Sequence, residues 1–137
     1  METARSVYTG DLRTRAIHTR SGEAIITDAP VDNQGRGEYF SPTDLVATAF
    51  ASCMLTVLGI AARTHSFNID GTDAVVTKIM SADAPRRICQ IIVELHFPPV
   101  QYTEKEKTII ERIARTCPVA LSLHPDLKQE IIFYFKD

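Results

Sequence analysis

The sequence predicts an α+β domain, and three observations carry that expectation. An uncharged run from Leu45 to Ala62 is long enough for a core helix. Extended stretches lie on either side of it, and two of those after it carry apolar residues at every second position. Two later capping signatures, at Thr103 and at Cys117-Pro118, open shorter helices. Strands, a long helix, strands, helices and a last strand in that order fit α+β rather than alternating β and α units.

Each element has a local reason. VYTGDLRTRAIHT reads as extended chain, Arg20-Ser21-Gly22 as a turn and EAIITD as a further strand, which together make a hairpin or short meander. APVDNQGRGEYF has no periodicity and is rich in Gly, Pro and Asn. A loop of this kind either carries function or is a solvated connection. Ser41 then suits an N-cap, Pro42 the first helical position, and Asp44 completes an S-x-x-D box.

The helix that follows has 18 residues without formal charge, with Cys53 among them. At ~22 residues it would run ~33 Å. Being apolar nearly all round, it is expected to be buried on every side. Such a run reaches the lower limit for a membrane span. Thr48, Ser52, Cys53, Thr56, Gly59 and several alanines favour a core helix instead, and no membrane partner is expected.

IDGTDAVVTKIMSA and ICQIIVELHF read as two strands joined by ADAPRR, with Cys89, Ile91, Val93, Leu95 and Phe97 on one face. Thr103 and Glu106 form a capping box for EKEKTIIERIART, whose Ile109, Ile110, Ile113 and Ala114 make an inward stripe. Proline disfavours helical geometry in the residue before it, so Cys117 is expected to cap a short helix, PVALSL. LKQEIIFYF closes as a strand with Ile131, Phe133 and Phe135 inward, and residues 1–137 are expected to form one domain.

A net charge of −2 gives no footprint for nucleic acid. METARSVYTGDLR has no apolar signal region, and three widely spaced cysteines fit a reducing cytoplasm better than a secreted disulfide framework. His18, His65, His96 and His124 are scattered, without C-x-x-C or H-x-x-x-H spacing. No phosphate loop or G-x-S-x-G occurs, so neither metal nor cofactor is expected.

The candidate chemistry is therefore that of sulfur. An ordinary thiol of pKa ~8.5 is only a few per cent ionised at neutral pH. Making it mostly thiolate needs ~2 units, or ~2.7 kcal/mol in favour of the anion. Cys117 at a helix start could gain ~0.3–1 kcal/mol from the dipole. Cys53 lies well inside its helix, where burial would oppose ionisation, so a cation must come from elsewhere. Arg13, Arg15 and Arg36 are the candidates. Inert packing remains open for both thiols, and is the reading for Cys89.

SPTDLVATAFASCM, together with the later TCPVALSL, resembles the OsmC/Ohr family of cysteine-based hydroperoxide reductases, over essentially the whole chain. The resemblance implies antiparallel sheets wrapped around a Cys-bearing central helix, in an intertwined homodimer with sites at the subunit interface. It implies a peroxidatic Cys53, a resolving Cys117, a hydroperoxide substrate and a thiol or dithiol reductant. An arginine holds the thiolate in such proteins, and the context GDLRTRA favours Arg13, with Arg36 second. The family places a glutamate directly after the proline of the helix cap; here Thr43 stands there, with Asp44 beside it. Asp44 precedes Cys53 by about half a turn in azimuth and ~13 Å along a helix. It is thus either a cap alone or acts across the interface or through an arginine. The alternatives to a peroxidase are a small apolar ligand-binding protein on the same scaffold and a hydrolase using Cys53 alone.

Overall fold

In the computed structural model, which describes residues 1–136, the chain divides into two compact units, Met1–Val46 and a second from Ala47 onward. The first unit holds three strands, β1 (Ala4–Gly10), β2 (Arg13–His18) and β3 (Ala24–Asp28), paired in that order as an antiparallel meander. The turn between β1 and β2 is tight. Gly10, Asp11 and Leu12 all have positive φ, at 99°, 55° and 62°. Leu12 is held there by its amide donating to the Tyr8 hydroxyl (3.2 Å) and its carbonyl accepting from Ala29 (3.0 Å).

After β3 the loop predicted from its glycines folds back on the strand end. The Gly35 and Gly37 amides donate to the carbonyls of Pro30 and Ala29, at 2.9 and 3.2 Å. A Cβ on Gly35 would lie 1.7 Å from the Ala29 carbonyl oxygen, so only glycine permits this closure. The loop leads into α1, Pro42–His65, which starts where the cap signals predicted and runs for 24 residues. The Asp44 amide donates to Ser41 Oγ and the Ser41 amide to Asp44 Oδ2, each at 3.0 Å, which completes the capping box.

In the second unit β4 (Asp73–Met80) and β5 (Ile88–His96) form the expected antiparallel pair, with Asp73 opposite His96. β6 (Lys128–Tyr134) joins β5 in parallel, with Gln90 opposite Lys128. The wholly antiparallel arrangement implied by the resemblance is therefore corrected. The two helices between β5 and β6, α2 (Glu104–Ile113) and α3 (Pro118–Ser122), return the chain to the same end of the sheet, and a crossover of this kind gives parallel neighbours. Thr103 and Glu106 cap α2 reciprocally, at 3.1 and 2.9 Å.

The core of this unit joins Phe50, Met54 and Leu58 of α1 to Ile91, Val93 and Leu95 of β5 and to Ile110 and Ala114. Each fully buried aliphatic or aromatic side chain contributes roughly 1.5–3 kcal/mol. Burial of α1 is one-sided rather than all round. Ala47, Phe50, Ala51, Met54, Leu58, Ala61 and Ala62 are buried, whereas Val46, Ala49, Ser52, Thr56 and Ile60 are exposed. The composition of the helix does not separate these two faces, because its exposed face is made of small or apolar residues.

Candidate functional site

The sequence singled out Cys53 and Cys117, and the second unit brings them together. Cys53 lies on α1 at the border between the buried and exposed faces and is half-buried. Cys117 is fully buried within the core cluster, as the N-cap of α3, with Pro118 at the first helical position. Its sulfur accepts the Ala120 amide at 3.3 Å. Both are free thiols.

Cys117 departs from the expectation of a dipole-activated thiol. Burial pushes it above the ordinary thiol range, and the Ala120 amide offsets this only in part. The Cys53 sulfur lies close enough to raise it further, by hydrogen bonding and by its charge. Cys117 is thereby kept protonated beside Cys53. Such a thiol serves better as a second reactant that loses its proton late than as the first nucleophile.

A cleft of about 320 Å³ lies along the C-terminal half of α1, lined by Val57, Ile60, Ala61, Thr64, His65, Ile113 and Thr116. Thr116 immediately precedes Cys117, and Val57 lies one helical turn beyond Cys53. The cleft is predominantly apolar.

In the first unit, Arg13 on β2 is held by two carboxylates. Its Nε and Nη2 meet Asp28 Oδ1 and Oδ2 at 2.7 and 2.9 Å, and Nη2 also donates to Glu38 Oε1 at 2.7 Å. Its guanidinium stands 4.9 Å from the Tyr39 ring centroid. Asp28 is 1% exposed and receives the Glu38 amide at 3.1 Å. The fork–fork bond to Arg13 holds Asp28 below the usual carboxylate range, and the same bond raises Arg13 beyond its already high value. Arg36, the second candidate, makes an exposed ion pair with Asp11 at 3.1 Å. Asp44 sits in the capping box described above.

Asp28 and Glu38 are the residues that sequence reasoning missed. Thr43 occupies the family's glutamate position, yet Arg13 has two carboxylates, one from the end of β3 and one from the loop before α1. A signal was present in the sequence, since Asp28 closes an apolar strand where a buried charge needs a partner. Nothing in the spacing named Arg13 as that partner.

The profile of the OsmC-like protein family matches residues 35–131. A crystal structure of a candidate osmotic stress induced and detoxification response protein from Psychrobacter arcticus is 53% identical, covering 98% of this chain and 96% of that one, with a TM-score of 0.92. An organic hydroperoxide resistance protein OsmC from Legionella pneumophila is 13% identical with a TM-score of 0.76, covering 98% of each chain. An OsmC-like protein from Mycoplasma pneumoniae is 21% identical, covering 98% of this chain and 96% of that one, with a TM-score of 0.74. No curated protein sequence matches. α1 is long and apolar enough to cross a membrane by length and composition, and its Ala47, Phe50, Ala51, Met54 and Leu58 are buried in the core. With the profile spanning most of its length and a half-identical structural relative over nearly all of it, the chain belongs to the OsmC-like family.

Proposed function

We propose that the protein reduces organic hydroperoxides by a two-thiol cycle at Cys53 and Cys117. The observation that carries this reading is the contact between a half-buried thiol on α1 and a buried, protonated thiol capping α3. The Cys53 thiolate attacks the outer oxygen of the hydroperoxide. The O–O bond breaks, an S–OH forms, and the alkoxide leaves as the alcohol after taking up a proton. Cys117 then displaces the hydroxyl as water and an S–S bond forms. Two electrons from an external thiol or dithiol reductant restore both thiols.

Resemblance to the family makes Arg13 the proposed cation of this cycle; within its own unit its guanidinium is oriented by Asp28 and Glu38. Asp44 acts as the cap that starts the helix bearing Cys53. The apolar cleft, whose Val57 and Thr116 are sequence neighbours of the two cysteines, suits the hydrocarbon body of an organic or fatty-acid hydroperoxide. The descriptions of the Psychrobacter and Legionella proteins, detoxification and hydroperoxide resistance, agree with this chemistry. A cytoplasmic location supplies the reducing environment that the cycle needs.

The working form in this proposal is a homodimer. Support comes from apolar side chains left bare on the single chain: Val7, Tyr8 and Ile25 on the first sheet, and Ile60, 61% exposed, on α1. Ile60→Lys should be harmless to a monomer and should shift the sedimentation mass from dimer toward monomer.

The function is tested by following cumene hydroperoxide consumption with a dithiol reductant. Turnover that disappears in Cys53→Ser supports the cycle; turnover equal to wild type in that variant removes it. A second reading, storage of an apolar ligand without turnover, is favoured by the same cleft. It predicts co-purified ligand in native mass spectrometry and unchanged binding in Cys53→Ser.

A further inference from the structure

The Cys117 sulfur is held through Ala120, and Ala120 is itself tied down from outside its helix. Its amide donates to the sulfur at 3.3 Å. Its carbonyl accepts from Nε2 of Gln129 on β6 at 2.9 Å. Gln129 thus reaches back over the turn at 124–127 to the residue that holds the sulfur.

The place of Gln129 in the sheet is unusual for an amide. On β6 it lies opposite Ile91, while Ile131 lies opposite Val93 and Phe133 opposite Leu95. The three β5 partners are fully buried, so this row faces the core. Ile131 and Phe133 pack on the core cluster, whereas Gln129 sets a half-buried polar group in the same row. Such a group is costly unless bonded, and its bond goes to α3.

α3 needs a tie of this kind. Its five residues are far short of the ~12–15 at which an isolated helix is even marginally stable. Two of its other bonds are local: the Leu121 amide donates to the Cys117 carbonyl at 3.1 Å, and the Ser122 hydroxyl to the Pro118 carbonyl at 2.8 Å. Both move with the turn when it loosens. The bond from Gln129 fixes the turn to the sheet. Leu121 and Ser122 are exposed, so water can replace Gln129 at the Ala120 carbonyl. Loss of the tie therefore loosens α3 without unfolding the unit.

We propose that Gln129 is a positioning residue of the two-thiol cycle, holding the α3 cap so that the Cys117 sulfur stays against Cys53 for the second step. The inference rests on the function proposed above. In that step Cys117 gives up its proton and its sulfur attacks the sulfur of the Cys53 sulfenic acid. The S–O bond breaks, an S–S bond forms, and the hydroxyl leaves with the proton as water. Gln129 acts through Ala120 rather than on either sulfur. It raises the fraction of molecules in the reactive arrangement and leaves the earlier attack of Cys53 on the hydroperoxide unaffected.

The test uses full-length Gln129→Met, which keeps the length of the side chain without a donor, and Gln129→Glu, which keeps its shape. Reduced protein receives one equivalent of cumene hydroperoxide with a fixed excess of dimedone. Mass spectrometry reads the ratio of dimedone adduct on Cys53 to Cys53–Cys117 disulfide. Single-turnover consumption of the hydroperoxide reads the first step. Both variants should raise the ratio about tenfold, or ~1.4 kcal/mol, with the first step unchanged. The disulfide, equilibrated against a thiol buffer, should become easier to reduce by ~30 mV, the same factor at equilibrium. Disulfide formation in wild type with the ratio unchanged in both variants overturns this inference and leaves the cycle standing. Equal slowing of both steps makes Gln129 a general structural residue and also overturns it. If wild type yields neither adduct nor disulfide, the cycle falls and this inference with it.

Discussion

Replacing Cys117 separates its structural role from its proposed chemical one. Its sulfur is fully buried and accepts the Ala120 amide at 3.3 Å. Serine keeps an acceptor at that place and is a strongly preferred N-cap, so the loss in Cys117→Ser is confined to a smaller atom in a packed site, about 1 kcal/mol. Alanine also loses the cap, which adds ~1 kcal/mol, for a total of about 2 kcal/mol. Both costs are small beside the ~5–15 kcal/mol of a typical domain, and both variants should fold. The chemical effect is of a different order. Without Cys117 the Cys53 sulfenic acid has no neighbouring thiol to condense with. One equivalent of cumene hydroperoxide, given without reductant, should therefore leave Cys53 trapped by dimedone in Cys117→Ser but hardly labelled in wild type. Urea unfolding at fixed protein concentration checks the stability ranking, and mass spectrometry checks the label. Equal dimedone labelling in wild type and variant would refute resolution by Cys117.

Three further outcomes follow from packing and charge. Leu58 on α1 is fully buried in the core cluster, so Leu58→Ala should cost about 2–5 kcal/mol by urea denaturation. Cys117 has a folded pKa above its unfolded one. Its contribution to stability is complete below the ordinary thiol range and is lost as pH rises through and above it, so wild type should lose more stability than Cys117→Ser between about pH 7 and about pH 10. Asp28 is shifted the other way by Arg13; its contribution is present above the ordinary carboxylate range and is lost as pH falls through the depressed value. Arg13→Met should accordingly move the acid unfolding midpoint, followed by circular dichroism, to higher pH.

Local signals in the sequence located most of the elements. Ser41 and Asp44 marked the start of α1, Thr103 and Glu106 that of α2, and Cys117-Pro118 that of α3, because each cap is satisfied by residues within three positions. Strand direction was not legible. Whether β6 runs with or against β5 depends on the path through α2 and α3, not on the alternation of Ile131 and Phe133. Nor could composition tell the two faces of α1 apart, since Ile60 and Ala49 are as apolar as Leu58 and Ala51. At the site, the pairing of the thiols was legible through family resemblance alone. The carboxylates on Arg13 were not, because Asp28 and Glu38 reach it by long-range folding from outside any recognisable motif. The unlike states of the two thiols also needed three dimensions: the dipole favours ionisation at a helix start, but burial at Cys117 outweighs it.

The most direct test of the account is a non-reducing peptide map of fully reduced wild-type protein after one equivalent of cumene hydroperoxide. The account predicts loss of two thiols per molecule, a single linked peptide pair joining Cys53 to Cys117, and Cys89 still free. Retention of all three thiols, or a linkage that includes Cys89 in place of Cys117, would contradict it.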